Sequence, residues 1–129
     1  MKKTALILCF MVPVILMAQA DPDNAVSLDD ALKKMTADNK SFAVGLKHGT
    51  MRTLLYSPKD KDDQRPHDQD EVYIVVSGSG IFQNGDKKYS FKTNDVLFVP
   101  AKQEHRFIEF TDDFKTWVVF YGPSGGEAR

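Results

Sequence analysis

Residues 71–99 read EVYIVVSGSGIFQNGDKKYSFKTNDVLFV, and this stretch decides the fold. Short runs of β-branched and aromatic residues, which favour strands, alternate in it with turn residues. One of the turns contains Asn84-Gly85, which is the strongest short-range signal for a hairpin. The pattern predicts strands at 71–76, 81–83, 88–91 and 96–99.

The same pattern continues on both sides of this stretch. Further strands are predicted at 42–47, 50–56, 105–110 and 115–121, again separated by turn residues. Seven or eight short strands with tight turns in one domain predict an antiparallel sandwich or barrel.

A short amphipathic helix is predicted before the first strand. Ser27 is followed three residues later by Asp30, a spacing close to that of a capping box. Apolar residues then recur at the i, i+3, i+4 and i+7 positions of one helical face. These residues are Leu28, Ala31, Leu32 and Met35. We expect this helix to end near Asn39 and to seal one end or face of the domain.

The first twenty residues are predicted to be a signal peptide. Lys2 and Lys3 form a basic start, residues 4–17 are almost entirely apolar, and Ala18-Gln19-Ala20 supplies small residues for cleavage. The apolar run is shorter than the roughly 18 to 20 residues of a spanning helix. We therefore expect export to the periplasm or the medium, with no stable membrane association after cleavage; the alternative is a retained anchor.

Composition limits the chemistry and the partners of the remaining chain. The single cysteine, Cys9, lies in the predicted signal peptide, so residues 21–129 contain no disulfide and no thiolate site. Without Lys2 and Lys3 the net charge changes from −1 to −3, which gives no reason to expect nucleic acid or anionic membrane as a partner. Cleavage leaves 109 of the 129 residues, enough for one domain with a core.

Two of the three histidines fall in a pattern typical of a metal site. If the strand at 71–76 extends back to His67, then His67, Gln69, Glu71 and Tyr73 share one face. A carboxylate buried among apolar residues is costly unless it is paired or bound to a metal. Together with His105 from a neighbouring strand, His67 and Glu71 would form a two-histidine, one-carboxylate site with open positions.

The sequence resembles the cupin family in two ordered motifs. His67, Glu71 and Gly78 follow the spacing of the first motif, G-x5-H-x-H-x3/4-E-x6-G, from its second histidine onward. Pro100 and His105 follow the spacing of the second motif, G-x5-P-x-G-x2-H-x3-N.

This resemblance implies both a fold and a chemistry. The implied fold is all-β, an antiparallel double-stranded β-helix or jelly-roll barrel with one short N-terminal helix, in a single domain at 21–129. The motifs span 59–109, and the strand pattern extends the likeness to about 42–123. The resemblance further implies one divalent metal ion (iron, manganese or zinc), a small-molecule ligand or substrate, and a homodimer. An oxygenase is the commonest activity it suggests; isomerases, lyases and a non-catalytic binding module are the alternatives.

The chain departs from the family pattern at the first metal ligand. Arg65 stands where the family has its first metal histidine, and an arginine does not ligate because it stays protonated. Three completions stay open: water or substrate joins the three remaining ligands, Gln69 donates its side-chain carbonyl, or His48 enters from an adjacent strand. A pocket without a metal is the fourth alternative.

Other departures concern backbone and pocket positions. Lys59, Asn94 and Lys102 replace family glycines, and Glu109 replaces an asparagine. We expect Asn94 to adopt a left-handed conformation, which asparagine accepts better than most residues.

The remaining predictions concern side chains around the metal site. Strict alternation places Glu109 on the face of His105 and Phe107, where it is a candidate catalytic acid–base group or an extra ligand; alternatively it reaches solvent. Arg65, Tyr73 and Phe107 are predicted to line the substrate pocket, with Arg65 contacting an anionic substrate.

Overall fold

A computed structural model describes residues 24–128 as one helix and eight strands. The predicted signal peptide therefore lies outside the described residues. The helix and strands are α1 (Leu28–Asp38), β1 (Phe42–His48), β2 (Met51–Tyr56), β3 (Asp70–Ser77), β4 (Ser79–Asn84), β5 (Lys87–Lys92), β6 (Val96–Val99), β7 (His105–Phe110) and β8 (Lys115–Tyr121). Within 24–128 no helix has the length and apolar character needed to cross a bilayer.

The strands form two antiparallel sheets. The large sheet has the order β1-β2-β8-β3-β6 and the small sheet the order β5-β4-β7. The hairpin predicted at Asn84-Gly85 joins β4 to β5, and Gly85 has a φ of +58°, in the left-handed region. The predicted all-β antiparallel class with one short N-terminal helix is confirmed.

Helix α1 covers part of the outer face of the large sheet. The Ser27 hydroxyl accepts a hydrogen bond from the Asp30 amide at 3.1 Å, as the capping-box spacing predicts. Asn39, at φ +49°, ends the helix in the left-handed conformation. Ala31 and Met35 are buried and pack in one apolar cluster with Leu55 of β2, so the helix seals this face of the sheet.

Aromatic side chains fill one half of the space between the sheets, and we call this half the aromatic core. The centroid of the Phe107 ring lies 4.6 Å from that of Phe114, 4.9 Å from that of Phe82 and 5.2 Å from that of Phe91. Tilted and edge-on rings at these distances interact favourably beyond the burial of their area. All four rings are at most 3% exposed, so this half of the barrel is closed.

Asp62 fastens the long connection between β2 and β3 to the barrel. Its carboxylate accepts hydrogen bonds from the Tyr56 hydroxyl at 2.8 Å, the Gln64 amide at 3.0 Å and the Phe107 amide at 2.7 Å. A buried carboxylate is tolerated only with such partners, and Asp62 is 2% exposed. The connection is thereby held across the open half of the barrel, where it delivers His67.

Candidate metal centre

The structure brings together His67, Glu71 and His105, and we call these three residues the triad. Glu71 lies near the start of β3, His105 begins β7, and His67 lies near the end of the connection that precedes β3. Nε2 of His67 lies 2.9 Å and Nε2 of His105 lies 3.2 Å from the same carboxylate oxygen, Oε2 of Glu71. All the ligand atoms lie within 4.8 Å of one another, so the triad could hold a metal ion.

Backbone carbonyls set the orientation of both imidazoles. Nδ1–H of His67 donates to the Gln69 carbonyl at 2.7 Å, and Nδ1–H of His105 donates to the Gln103 carbonyl at 2.8 Å. Because a carbonyl only accepts, the proton of each neutral ring must lie on Nδ1. Nε2 of each ring then presents a lone pair to Glu71. This anchoring through the other ring nitrogen is the usual arrangement of metal-ligating histidines.

Buried atoms of the triad lack hydrogen-bond partners. Among the described residues, Oε1 of Glu71 and Nε2 of His105 are buried without one. Glu71 is 0% and His105 3% exposed, so water does not compensate from bulk solvent. Lone pairs converging on one buried point are unfavourable unless a cation or a proton lies between them. The donor set of two imidazoles and one carboxylate therefore fits a divalent ion.

The pKa values of the triad show how tightly its charges are coupled. Burial alone would raise the pKa of Glu71, but the imidazoles of His105 and His67, which donate to the carboxylate and attract its charge when they are protonated, outweigh burial and leave this pKa below its ordinary value. Burial alone would lower the pKa of His67, yet the hydrogen bond to Glu71 and its negative charge raise it above the ordinary value. A proton and a metal ion therefore compete for Nε2 of His67.

An aromatic ring connects the triad to the open side of the barrel. The Phe120 ring of β8 stands edge-on to the His67 ring, with centroids 4.8 Å apart and an angle of 89° between the planes. The Arg52 guanidinium lies over the same Phe120 ring, 4.5 Å from its centroid. The Phe120 ring thus contacts both the Arg52 guanidinium and the candidate metal ligand His67.

A cavity of about 530 Å³ opens beside the triad, and we call it the mouth cavity. Its volume falls within the range of small-molecule sites, roughly 300 to 1,000 Å³. Its walls come from the segment at β1, from β2, β8 and the start of β3, and from the connection before β3. They consist of Ser41, Phe42, Val44, Lys47, Arg52, Leu54, Tyr56, Asp63, Gln64, Glu71, Val118 and Phe120. Glu71 belongs to both the cavity wall and the triad.

Neither of the two additional ligands predicted from the sequence joins the triad. The side-chain amide of Gln69 donates to the Thr50 carbonyl at 2.8 Å and to the Gly122 carbonyl at 3.0 Å. Strand β3 begins only at Asp70, so regular alternation does not extend back to Gln69. His48 is exposed at the end of β1. Among the described residues, the group of potential ligands has three members and not four.

The predicted position of Glu109 is wrong because β7 is not regular. The register with β4 pairs Ile81 with Glu109 but Phe82 with Phe107, so one extra residue, Ile108, is accommodated in β7. Such a bulge shifts the alternation of side chains beyond it. Glu109 is consequently exposed, whereas Phe107 is buried.

The three predicted pocket residues do not line the mouth cavity. Arg65 is exposed on the connection before β3. Tyr73 is 0% and Phe107 2% exposed, and both lie in the core next to the triad. Burial and the negative charge of Glu71 raise the pKa of Tyr73, so its hydroxyl keeps its proton and donates to Oε1 of Gln64 at 2.8 Å. Tyr73 thereby positions Gln64 at the cavity wall.

The sequence reasoning missed Arg52, Lys47 and Gln64 as wall residues of the cavity. The sequence contains a signal for Arg52, because alternation along β2 places it on the face of Leu54 and Tyr56, although the residue itself is exposed. For Lys47 there was no such signal, since its direction depends on an irregularity of β1.

The chain matches known proteins over most of its described length. Residues 53–121 match the family profile described as the cupin domain. An uncharacterized protein of Streptomyces coelicolor is 33% identical over 101 residues, a match that covers 77% of this chain and 96% of that protein.

Solved structures show the same fold at low identity. A cupin superfamily protein from Desulfitobacterium hafniense superposes with a TM-score of 0.53 at 20% identity, covering 64% of this chain and 76% of that one. A Cupin 2 conserved barrel domain protein from Salinispora arenicola gives a TM-score of 0.54 at 16% identity, covering 63% and 74%. The predicted jelly-roll barrel is thereby confirmed.

Proposed function

Because this chain belongs to the cupin family, we propose that it is an exported protein that binds one divalent metal ion through the triad and acts on a small molecule. Oxygenase-like chemistry is the first candidate activity, suggested by the family resemblance. When bound, iron, manganese or zinc would supply a Lewis acid with open coordination positions.

One observation carries this proposal. Two imidazoles, each fixed by a backbone carbonyl on Nδ1, direct their Nε2 atoms at a single buried carboxylate oxygen, and in the neutral rings these Nε2 atoms carry no proton. A purely structural histidine pair would more readily direct N–H groups at Glu71, which would satisfy its oxygens. The protein instead holds three acceptors together, which is what a cation requires.

Other residues of the chain define the surroundings of the proposed site. The Gln69 and Gln103 carbonyls hold the imidazoles in the ligating orientation. Phe120 covers one side of His67, while the buried rings of Tyr73 and Phe82, with centroids 6.2 and 6.3 Å from that of His105, shield the triad on the interior side. Glu71 belongs to the wall of the mouth cavity, so a molecule bound there would lie beside an ion held by the triad.

A non-catalytic binding module is the second candidate function. It is favoured by Arg65, which replaces the family's first metal histidine and is exposed, while no other described histidine, cysteine or carboxylate replaces the lost ligand. In this alternative the ion is structural, and the mouth cavity only captures its ligand. Oxygen uptake that depends on added iron would exclude the binding module; ligand binding without any turnover would favour it.

The metal site is tested by metal analysis of the exported protein purified without a histidine tag. The wild-type protein should bind close to one equivalent of zinc or manganese in calorimetric titration, and His67→Ala should abolish this binding. His48→Ala is the matched control, because His48 is an exposed histidine outside the triad, and it should bind as the wild type does. Unchanged binding by His67→Ala would refute the assigned site.

Export and dimerisation are parts of the same proposal. Sequencing the N-terminus of the protein from the periplasm or medium should find Asp21 first. For the homodimer, the motivation is the outer face of β3 and of the edge strand β6, where Ile74, Val96 and Phe98 are 42%, 64% and 49% exposed. Light scattering should show a dimer that Phe98→Glu dissociates; a monomeric wild-type protein would contradict this part.

A further inference from the structure

Two cations without acidic partners stand in the wall of the mouth cavity. Lys47 and Arg52 are opposite each other in the pairing of β1 with β2. Among residues 24–128, the ion pairs within 4.0 Å include neither of them. Both residues are exposed, and with no acidic partner their charges are free to meet an anion that enters the cavity beside the candidate metal ligands.

A bulge in β1 directs Lys47 into the cavity. Val44 pairs with Leu54, and the next pair along the strands is Lys47 with Arg52. Between these two pairs, β1 contains one residue more than β2. Val44 and Lys47, three positions apart, consequently both line the cavity, which strict alternation would forbid. The Leu46 amide stabilises the irregularity by donating to the Thr53 hydroxyl at 2.8 Å.

Arg52 is held in place by an aromatic face rather than by a carboxylate. Its guanidinium lies 4.5 Å from the centroid of Phe120, a cation–π arrangement that restricts the side chain while leaving its N–H groups in the plane available. A guanidinium restricted in this way loses less entropy when it binds a ligand.

Apolar side chains form part of the cavity wall, next to these cations. Leu54, Val118 and Phe120 line the cavity between Arg52 and Glu71. The carboxylates in the lining are Asp63 and Glu71, and Glu71 is the residue directed at the candidate metal position. With a divalent ion on the triad, positive charge exceeds negative charge around the cavity, and this balance attracts an anion.

The hydrogen-bond donors in the cavity wall suit a carboxylate better than a phosphate ester. The planar guanidinium matches the two oxygens of a carboxylate, which it binds with two parallel hydrogen bonds. Phosphate sites in proteins commonly use a helix N-terminus, and α1 contributes no residue to the lining of this cavity.

We infer that the mouth cavity binds a small organic carboxylate with an apolar body. Arg52 holds the carboxylate with support from Lys47, the body lies against Leu54 and Phe120, and the far end reaches Glu71 and the triad. This inference rests on the proposed function, because it gives the substrate class of the same site.

Paired probes of equal shape and different charge test this assignment. The two pairs are benzoate with benzamide and hexanoate with hexanamide. Each compound is titrated into the full exported protein, in its zinc-loaded and its metal-free form, and binding is followed by ligand-observed NMR. In each pair the carboxylate should bind about tenfold more tightly, the effect expected for a charge-assisted bidentate contact. Arg52→Gln should remove this preference in both forms, whereas Arg65→Gln, the exposed arginine outside the cavity, should retain it.

The outcomes separate this inference from the metal proposal. Equal binding of acid and amide by the wild-type protein, or a preference that survives Arg52→Gln, overturns the carboxylate site even when zinc binds normally. Phenyl phosphate binding more than about tenfold tighter than benzoate overturns the choice of carboxylate over phosphate. Conversely, a protein that binds no metal but shows an Arg52-dependent preference refutes the triad as a metal site and leaves the carboxylate site standing.

Discussion

The two halves of the barrel interior use the same strands for opposite purposes. Strand β3 contributes Glu71 to the triad and, two residues later, Tyr73 to the aromatic core. Strand β7 likewise contributes His105 and then Phe107. The side chains of the aromatic core pack against one another and need no added partner. The triad does need one, because its buried lone pairs require a cation or a proton. Stability and binding are thus concentrated in different halves of one small domain.

The largest expected effect is on stability, from a change in the aromatic core. Phe107→Ala should lower the free energy of unfolding by about 3 to 5 kcal/mol, because it leaves a cavity among four packed rings. Urea denaturation measures this loss. Phe98→Ala is the control, since Phe98 is 49% exposed, and it should cost less than about 1 kcal/mol in a monomeric preparation. Equal costs for both variants would contradict the distinction between core and surface.

The next effect is on zinc affinity, from a change at Glu71 that should leave the stability of the metal-free protein nearly unchanged. Glu71→Gln should weaken zinc binding at least about a hundredfold, beyond the loss usual for residues that only support a ligand. In metal-free protein the same change should alter the free energy of unfolding by less than about 1 kcal/mol, because glutamine removes a buried charge and its amide can donate to a neutral imidazole Nε2. Calorimetric titration and urea denaturation measure the two quantities. A severe loss of metal-free stability would show that the triad is mainly structural.

The third effect is a dependence on pH that the aromatic core should not share. In metal-free protein, the contribution of Glu71 is lost as pH falls through its lowered pKa, and that of His67 is lost as pH rises through its raised pKa. Metal binding instead needs unprotonated His67.

The rise in Tm caused by zinc should therefore increase between about pH 5.5 and pH 8. Differential scanning fluorimetry with and without zinc measures it, with His67→Ala as the control that shows no rise. A zinc effect that is constant or decreases over this range would contradict the assignment of His67 as a ligand.

The smallest effect concerns a turn beneath the triad. Lys102 has a φ of +66°, and its amide donates to the His67 carbonyl at 2.6 Å. Lys102→Gly should stabilise the protein by about 1 kcal/mol, because glycine adopts this conformation without strain. Lys102→Ala keeps the strain and should bring no such gain. Both variants retain the amide, so zinc affinity should stay unchanged; urea denaturation and calorimetry measure these outcomes.

Regular parts of the molecule were predictable from local sequence. Alternating β-branched and aromatic residues, with Asn84-Gly85 between them, predicted the strands that form the barrel. The capping Ser27 and the apolar stripe predicted α1. Motif spacing identified the residues of the triad, because ligands separated by a fixed number of strand residues retain their relative positions. Asn94, predicted to be left-handed, has a φ of +71°.

Irregular parts were not predictable, since they depend on pairing with distant strands. The extra residue in β7 directs Glu109 outward, and the extra residue in β1 directs Lys47 inward. Gln69 lies before β3 and donates to carbonyls from two remote segments, so strand alternation does not apply to it. Single-strand periodicity contains no information about either bulge, because a bulge is a property of two strands together.

The attachment of the connection before β3 also matters for protein engineering. Asp62 fixes one end of it to the amides and hydroxyls of the barrel, and the Gln69 side chain fixes the other. Between these two anchors, Asp63 is exposed and belongs to the wall of the mouth cavity, whereas Arg65 is exposed outside it. A library that randomises Asp63 would vary the wall of the cavity while the fixed ends of the connection preserve the direction of the chain, so altered selectivity could be sought without redesigning the scaffold.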